Sequence, residues 1–350
     1  MKRLLSVVLV VAMVAALTAG CGCGGRNVDK EAGFEVDKYI KLGEYTGFKY
    51  DIDQKKFDDL LEEKTFESEA VNRAAKMGDE IEFSYKGYVD GKKVDDLTQS
   101  NIAAETNQKD NAVYKKMTDA LIGKSKGDTA TVKIPGSDVK EVSKDKKTYK
   151  GTVTFKLKVV EVSKVEHAKV TNEWVKEESG EDVETVEEFF KLIEEELVDN
   201  AKADVWQMAI DDSTMSSWPP ELYDKVKEEE EGDAAYNAEQ WSMSLEEYYA
   251  MNGDTEDSLN KEYMNQVQST LVMWAIVGKE DIKVTKKEIN DRYNDLFTEL
   301  KGDGEYNSMD EVKKNYPENE IKEAVYLQKT QDFVYDNSKV KKTYKVHNNK

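Results

Sequence analysis

The side chains that do nucleophilic or metal chemistry are scarce in this chain. Its 350 residues hold two histidines and two cysteines. His167 and His347 lie in polar stretches with no paired Cys, Asp or Ser motif, and read as solvent-facing. Cys21 and Cys23 sit together in a glycine-rich tract and no cysteine follows, which excludes a disulfide scaffold. Two thiols without further ligands make a poor metal site. No metal and no cofactor are therefore predicted. The net charge of −21 and the lack of a long Lys/Arg block argue against nucleic acid as a partner, because binding its phosphates needs basic stripes.

The elements around these residues fall into more than one core, since 350 residues exceed what a single ordinary core organises. Lys2 and Arg3 precede an apolar run from Leu4 to Ala16, shorter than the ~20 residues of a spanning helix. Residues 1–20 therefore read as a signal peptide. Thr18-Ala-Gly-Cys21 resembles the bacterial lipobox, although Thr18 stands where that pattern usually has Leu. The resemblance implies cleavage before Cys21 and lipidation of its sulfur, which would tether the chain outside the cytoplasmic membrane. An ordinary secretory signal is the alternative. Residues 21–43 read as a flexible spacer.

Residues 44–70 read as a strand-helix linker: Tyr45 to Ile52 alternates, and Asp53 can cap a helix bearing Phe57, Leu60 and Leu61. Its apolar face is expected to pack on the C-terminal half. Over residues 71–163, Ile81, Phe83 and Tyr85 alternate with Glu82, Ser84 and Lys86, and Asp90-Gly91 signals a hairpin. Val113, Met117 and Leu121 share one helical face closed by Gly123, and Thr129–Ile134 and Thr152–Val162 read as strands. That order is α+β. Residues 164–340 read as helical, with capping boxes at Thr185–Glu188, Ser244–Glu247, Thr285–Glu288 and Ser308–Glu311. Pro219 or Pro220 starts a helix, and Glu228 to Glu231 reads as a solvated charge run. Residues 341–350 read as a tail.

Gly78-Asp79, Tyr85-Lys-Gly-Tyr-Val-Asp-Gly91, Ala120-Leu-Ile-Gly123 with Gly127-Asp128, Ile134-Pro135 and Phe155 resemble, in order, the FKBP-type peptidyl-prolyl isomerases, in particular the isomerase domain of trigger factor. The resemblance implies an antiparallel sheet wrapped on a short helix. It also implies a pocket that favours the twisted state of an X-Pro bond, whose barrier of about 18–20 kcal/mol reflects lost amide resonance. Carried over residue by residue, Tyr85, Asp95 and Phe155 take the catalytic places, and Val94, Val113, Tyr114 and Met117 the substrate-binding ones. Val94 replaces the family's Phe, Val113-Tyr-Lys-Lys replaces its helix entry, Gln99–Asn111 is polar, and the flap Gly136–Tyr149 lacks an aromatic tip. These departures imply a shallower, wetter pocket.

Trp218-Pro-Pro-Glu-Leu222, Met243-Ser-Leu-Glu-Glu-Tyr248 and Trp274-Ala-Ile276 through Ile289 resemble the trigger factor C-terminal domain. That resemblance implies an all-α region cradling unfolded polypeptide through apolar patches within a charged rim. Met208, Met215, Trp218, Tyr248, Tyr249, Met251, Met264 and Met273 are the candidates to line such patches. The family's ribosome-docking domain has no counterpart, so no ribosome partner is expected. The expectation is an exported, lipid-anchored lipoprotein folding factor on the extracytoplasmic side of a bacterial membrane. Its partners are unfolded or nascent secreted polypeptides, which it isomerises at proline and holds. A holdase with a decayed isomerase pocket is the alternative. A solute-binding lipoprotein would need repeated βαβ units, which are not seen.

Overall fold

The computed structural model describes residues 28–107, 111–144, 146–302 and 306–348. The signal peptide and Cys21 lie outside them. In chain order the elements begin α1 (Val28–Ala32), β1 (Ile40–Lys41), β2 (Lys49–Ile52), α2 (Gln54–Lys64) and β3 (Phe66–Ala70). There follow β4 (Glu80–Val89), β5 (Lys92–Glu105), α3 (Ala112–Leu121), β6 (Thr129–Pro135) and β7 (Thr152–His167). The helical part runs α4 (Asn172–Glu177), α5 (Val186–Asp212), β8 (Thr214–Met215), α6 (Pro220–Gln240), α7 (Leu245–Asn252) and α8 (Glu256–Lys279). It closes with α9 (Lys286–Gly302), α10 (Met309–Asn315), α11 (Glu318–Asp336) and β9 (Lys339–Lys342). Two compact units emerge, one of residues up to Phe57 with Glu194–Lys345, the other Asp58–Ile193 with the residues from Val346.

In the second unit β7 is the central strand. It pairs with β4 along one edge, and with β6 and then β3 along the other. All these pairings are antiparallel, and β5 completes the sheet beyond β4. The period-2 pattern of β4 buries Ile81, Phe83 and Tyr85, and Asp90 and Gly91, both at positive φ, make the two-residue turn into β5. Asn111 caps α3 by accepting from the Val113 and Tyr114 amides at 2.9 Å each. Val113, Met117 and Leu121 of that helix then face the sheet in one core with Leu97, Phe155 and Leu157. The polar stretch Gln99–Glu105 continues β5 as a strand, and β3, within the segment read as a linker, extends the sheet. Before β4, Asp79 accepts from both guanidinium nitrogens of Arg73, at 2.5 and 2.9 Å, and from the Lys76 amide at 2.7 Å. The guanidinium beside it holds the Asp79 carboxyl below the usual range, against a smaller opposing effect of burial.

The other unit is built on α8, whose Val267, Leu271, Val272, Ile276 and Val277 are buried with Val205 and Trp206 of α5, Leu222 and Val226 of α6, and Tyr326 of α11. The Trp206 indole donates to the Ser269 hydroxyl at 3.0 Å, satisfying the polar handle of a buried ring. A second cluster joins Ile289, Tyr293 and Leu296 of α9 to Val312 and Ile321. The capping boxes form at the expected places, at Ser244 with Glu247 and at Thr285 with Glu288. Residues 28–43, expected as spacer, are folded into this unit instead. Val36 and Ile40 are buried in its core, and β1 pairs antiparallel with β8. Gly43 allows the close passage: a Cβ there would lie 2.1 Å from the Asp212 carbonyl oxygen. The end of the chain is likewise tied down. β9 pairs in parallel with β2, and Tyr344 stacks on Phe57 with ring centroids 5.3 Å apart. The apolar spacing of Val36 with Ile40 and of Val340 in Lys-rich surroundings is too short to register as a periodic signal, which is why both ends read as loose chain. Among the described residues no helix is long and apolar enough to cross a membrane.

Candidate functional site

In the sheet unit, three elements bring most of the expected pocket together. Tyr85 comes from β4, Phe155 from β7, and Val113, Tyr114 and Met117 from the first turns of α3. The rings of Tyr85 and Phe155 meet edge to face at 5.5 Å, and Tyr114 stands 6.5 Å from Tyr85 and 6.4 Å from Phe83. Tyr85 is 1% exposed, and Phe155 and Met117 are fully buried. Tyr114 and Val94 are half-buried at the margin. The cluster is thus real but closed. The short 3-10 turn Val139–Val142, in the segment read as a flap without an aromatic tip, buries Val139 and Val142 against it.

The Tyr85 hydroxyl has one proton and two acceptors within reach, Gln99 Oε1 at 2.9 Å and the Val142 carbonyl at 3.2 Å. Burial foremost, and then the neighbouring Tyr114 phenol, push its pKa far above the ordinary tyrosine value. At any physiological pH it is a neutral donor. Tyr114 is also raised, by burial. What the arrangement offers chemically is an apolar aromatic socket with a single neutral hydrogen-bond donor in its wall.

Asp95 is not part of it. The β4–β5 register jumps from Lys86 opposite Thr98 to Gly87 opposite Val94, so Asp95, Asp96 and Leu97 bulge from the ladder. Asp95 stands on the outer side, its side chain 90% exposed and paired with Lys93 at 2.6 Å. Its neighbour Asp96 turns inward. Its Oδ2 accepts from the Ser143 hydroxyl at 2.7 Å and from the Tyr149 hydroxyl. Gly87 makes the bulge possible, because a Cβ there would lie 2.5 Å from that of Leu97 and 3.2 Å from the Phe155 ring. Sequence spacing cannot show which of two adjacent aspartates a bulge turns inward. Leu97, Asp96, Val142 and Tyr149 were missed for that kind of reason, since each reaches the cluster through a bulge or an irregular loop, whereas Gln99 was missed as the direct cross-strand partner of Tyr85. The hint available was Gly87 itself, a glycine inside a strand pattern.

In the helical unit, the candidates separate. Met273 is core and Met215 packs against that core. Met208 and Met264 are half-buried. Trp218 and Met251 are exposed, and so are Tyr236 and Trp241 of the α6–α7 region, which the sequence reading did not single out. A groove of about 230 Å³ has a floor of Leu222, Val226, Met273 and Leu327 and a rim of Lys225, Glu229, Glu320 and Glu323. Across that rim Lys225 pairs with Glu323 at 2.9 Å. Apolar floor within charged rim is the form expected of a surface that takes unfolded chains. Among the described residues no group of three or more His, Cys, Asp or Glu is placed to hold a metal ion.

Comparison with known proteins covers both regions. Residues 71–162 match the family of FKBP-type peptidyl-prolyl cis-trans isomerases, and residues 219–336 match the bacterial trigger factor protein C-terminus. The trigger factor of Latilactobacillus sakei is 27% identical over 328 residues, covering 87% of this chain and 73% of that one. That of Levilactobacillus brevis is 24% identical over 325 residues, covering 86% and 71%. That of Caldanaerobacter subterraneus is 25% identical over 341 residues, covering 90% and 76%. Among solved structures, a trigger factor chaperone studied for promiscuous substrate recognition matches at 16% identity and a TM-score of 0.31, over 85% of this chain and 72% of that one.

Proposed function

The chain is a trigger factor-like protein, an FKBP-type region followed by a trigger factor C-terminal region, and from that premise we propose that it is an exported, lipid-anchored folding factor that isomerises X-Pro bonds and holds unfolded polypeptide. The observation that carries the isomerase part is the convergence of Tyr85, Phe155, Val113, Tyr114 and Met117 from three elements on one point. The chemistry asked of it is small. A prolyl ring seated on Phe155 and Met117 leaves solvent, and the planar amide loses the hydration that stabilises it. The Tyr85 hydroxyl, which bonds Val142 in the closed form, then donates to the substrate carbonyl as the amide twists. The turn Val139–Val142, with Ser143 and Tyr149, must move aside for the ring to enter, and Asp96 holds Ser143 and Tyr149 in the closed position.

An assay of a tetrapeptide with a central X-Pro bond tests this. Tyr85→Phe keeps the ring and removes the donor, and is expected to slow catalysis by up to about tenfold, the worth of one hydrogen bond. Equal rates for wild type and Tyr85→Phe, neither faster than buffer, would leave the second reading. In that reading the closed cluster is a structural core and the chain acts only as a holdase, and the near-complete burial of Tyr85 favours it. Suppression of the aggregation of an unfolded client tests the holding activity shared by both readings. Anchoring through Cys21 rests on Thr18-Ala-Gly-Cys21 after the apolar run Leu4–Ala16. Wild type should partition into detergent with a diacylglycerol-sized mass increment and Cys21→Ser should not.

A further inference from the structure

In the helical unit, a cleft of about 810 Å³ lies between the segment from Val28 to Leu42 and the last turns of α8. That size falls within the range of about 300–1,000 Å³ usual for sites of small ligands. The two walls come close because Gly278 has no side chain: a Cβ there would lie 2.9 Å from Val28 Cγ1. Ile40, Leu42 and Ala275 give the cleft an apolar lining, and Asp29, Asp37, Lys41 and Lys279 supply two charges of each sign. Among the described residues none of these four is in a salt bridge, so acids and amines share one cleft without pairing. One Asp29 oxygen accepts from the Val36 amide at 3.0 Å, which leaves the other to a ligand. Lys279 is fixed over the Tyr45 ring, 4.5 Å from its centroid. The second observation is independent of charge. Val28, which lines the cleft, follows Cys21 by seven residues. Seven residues reach at most about 25 Å when fully extended. A lipid on Cys21 would therefore hold this cleft at the bilayer surface, where so short a tether makes even a weak lipid site well populated.

We propose that the cleft takes the head group of a membrane phospholipid that carries a phosphate and a primary ammonium, phosphatidylethanolamine in class. Its phosphate lies against Lys41 and Lys279, and its ammonium donates to Asp37 and to the remaining Asp29 oxygen. The four charges of the cleft sum to zero and match a zwitterion. A purely anionic head group would satisfy the lysines alone, and both the two aspartates and the net charge of −21 repel it. A choline head group has no N–H to give the carboxylates. Occupancy of this cleft sets which face of the helical unit meets the bilayer. The proposal rests on the lipid-anchored reading and adds a lipid preference to it.

The test uses the mature Cys21→Ser chain, so that no acyl anchor contributes. Nuclear magnetic resonance follows its amides as soluble short-chain dihexanoyl lipids are added at millimolar concentration. The ethanolamine lipid is expected to shift the Ala275 and Gly278 amides and to bind about tenfold more tightly than its choline or glycerol counterpart. Lys41→Gln and Asp37→Asn alter exposed side chains, and a thermal melt checks that the fold is kept. Each should weaken the ethanolamine lipid severalfold, and Asp37→Asn should narrow its lead over the glycerol lipid. No shift at these amides overturns the proposal, as do equal affinities for the three lipids. Inorganic phosphate that shifts the same amides as strongly as the lipid also overturns it, by showing a plain anion site. Detergent partitioning of the wild type judges the anchor separately. A lipidated wild type whose unlipidated variant ignores the ethanolamine lipid would leave the anchor standing and remove the cleft. Specific shifts with no lipidation on Cys21 would remove the anchor and leave the cleft as a lipid site.

Discussion

The two units put the same kinds of residue to opposite use. The FKBP-type unit gathers Phe83, Tyr85, Tyr114 and Phe155 into one cluster, most of it out of reach of water. The helical unit leaves Trp218, Tyr236, Trp241 and Met251 exposed. Aromatic side chains supply large apolar area in both. What differs is whether the chain's own backbone fills the space against them. Leu97 from β5 and Val142 from the turn before β7 close its cluster, whereas helices packed through α8 shield only one face each. A closed site serves selective chemistry once it opens. An open surface serves binding without strong sequence preference.

The contrast can be broken or sharpened by measurement. The largest effect is expected at Phe155→Ala, which leaves a cavity in the closed cluster and should lower stability by about 3–5 kcal/mol in denaturant titration. A loss under 1 kcal/mol would mean that the cluster is not packed as described. Next comes the Arg73–Asp79 pair. Arg73→Ala leaves the buried Asp79 carboxylate with only its backbone donor and should lower the denaturation midpoint at neutral pH. Because the folded pKa of Asp79 is depressed, its stabilisation is present at neutral pH and is lost as pH falls below about 4. The wild type should therefore weaken in acid more steeply than Arg73→Ala.

A third test concerns the helical unit and runs the other way in pH. Asp199 is pushed up to about 6, by burial first and then by Asp332, Glu195 and Glu196, against the opposing pull of Lys202. The folded state then binds a proton that the unfolded state does not between pH 6 and 4. Stability of this unit should rise as pH falls through that window, and Asp199→Asn should raise stability at pH 7 by about 1–2 kcal/mol and flatten the profile. An unchanged profile would sink the assignment. The smallest effect on stability, within about 0.5 kcal/mol, is expected for Trp218→Ser combined with Trp241→Ser, since both rings are already in solvent. The same pair should lose measurable suppression of client aggregation, and a variant as effective as wild type would move the holding surface elsewhere.

Much of the architecture was legible because it is written in periodic patterns. The alternation of β4, the Asp90-Gly91 turn and the capping boxes at Ser244 and Thr285 each stand where local sequence puts them. Long helices such as Glu256–Lys279 carry enough apolar turns to declare themselves. The pocket was legible in part. Tyr85, Val113, Met117 and Phe155 sit in regular elements whose inward faces follow from period, whereas Asp96 was hidden in a bulge beside Asp95. The N-terminal segment around Val36 and Ile40 was hidden for a different reason. Two buried residues in a short irregular stretch make no pattern, and only the cavity they fill in another part of the chain gives them meaning.

By itself the sequence determined which residue types are available, with two histidines and two cysteines among 350 residues. It also determined the order of its parts, a sheet-and-helix region followed by helices, because hydrophobic period and capping chemistry are local properties. Only the tertiary structure decided whether an aromatic is a pocket wall, a core filler or a free surface. It closed Tyr85 with Val142, turned Asp96 rather than Asp95 inward, and set Lys41 and Lys279 at one cleft. Those outcomes depend on which distant backbone arrives at a side chain, and burial and electrostatics follow from that arrival rather than from the residue's own neighbours in the chain.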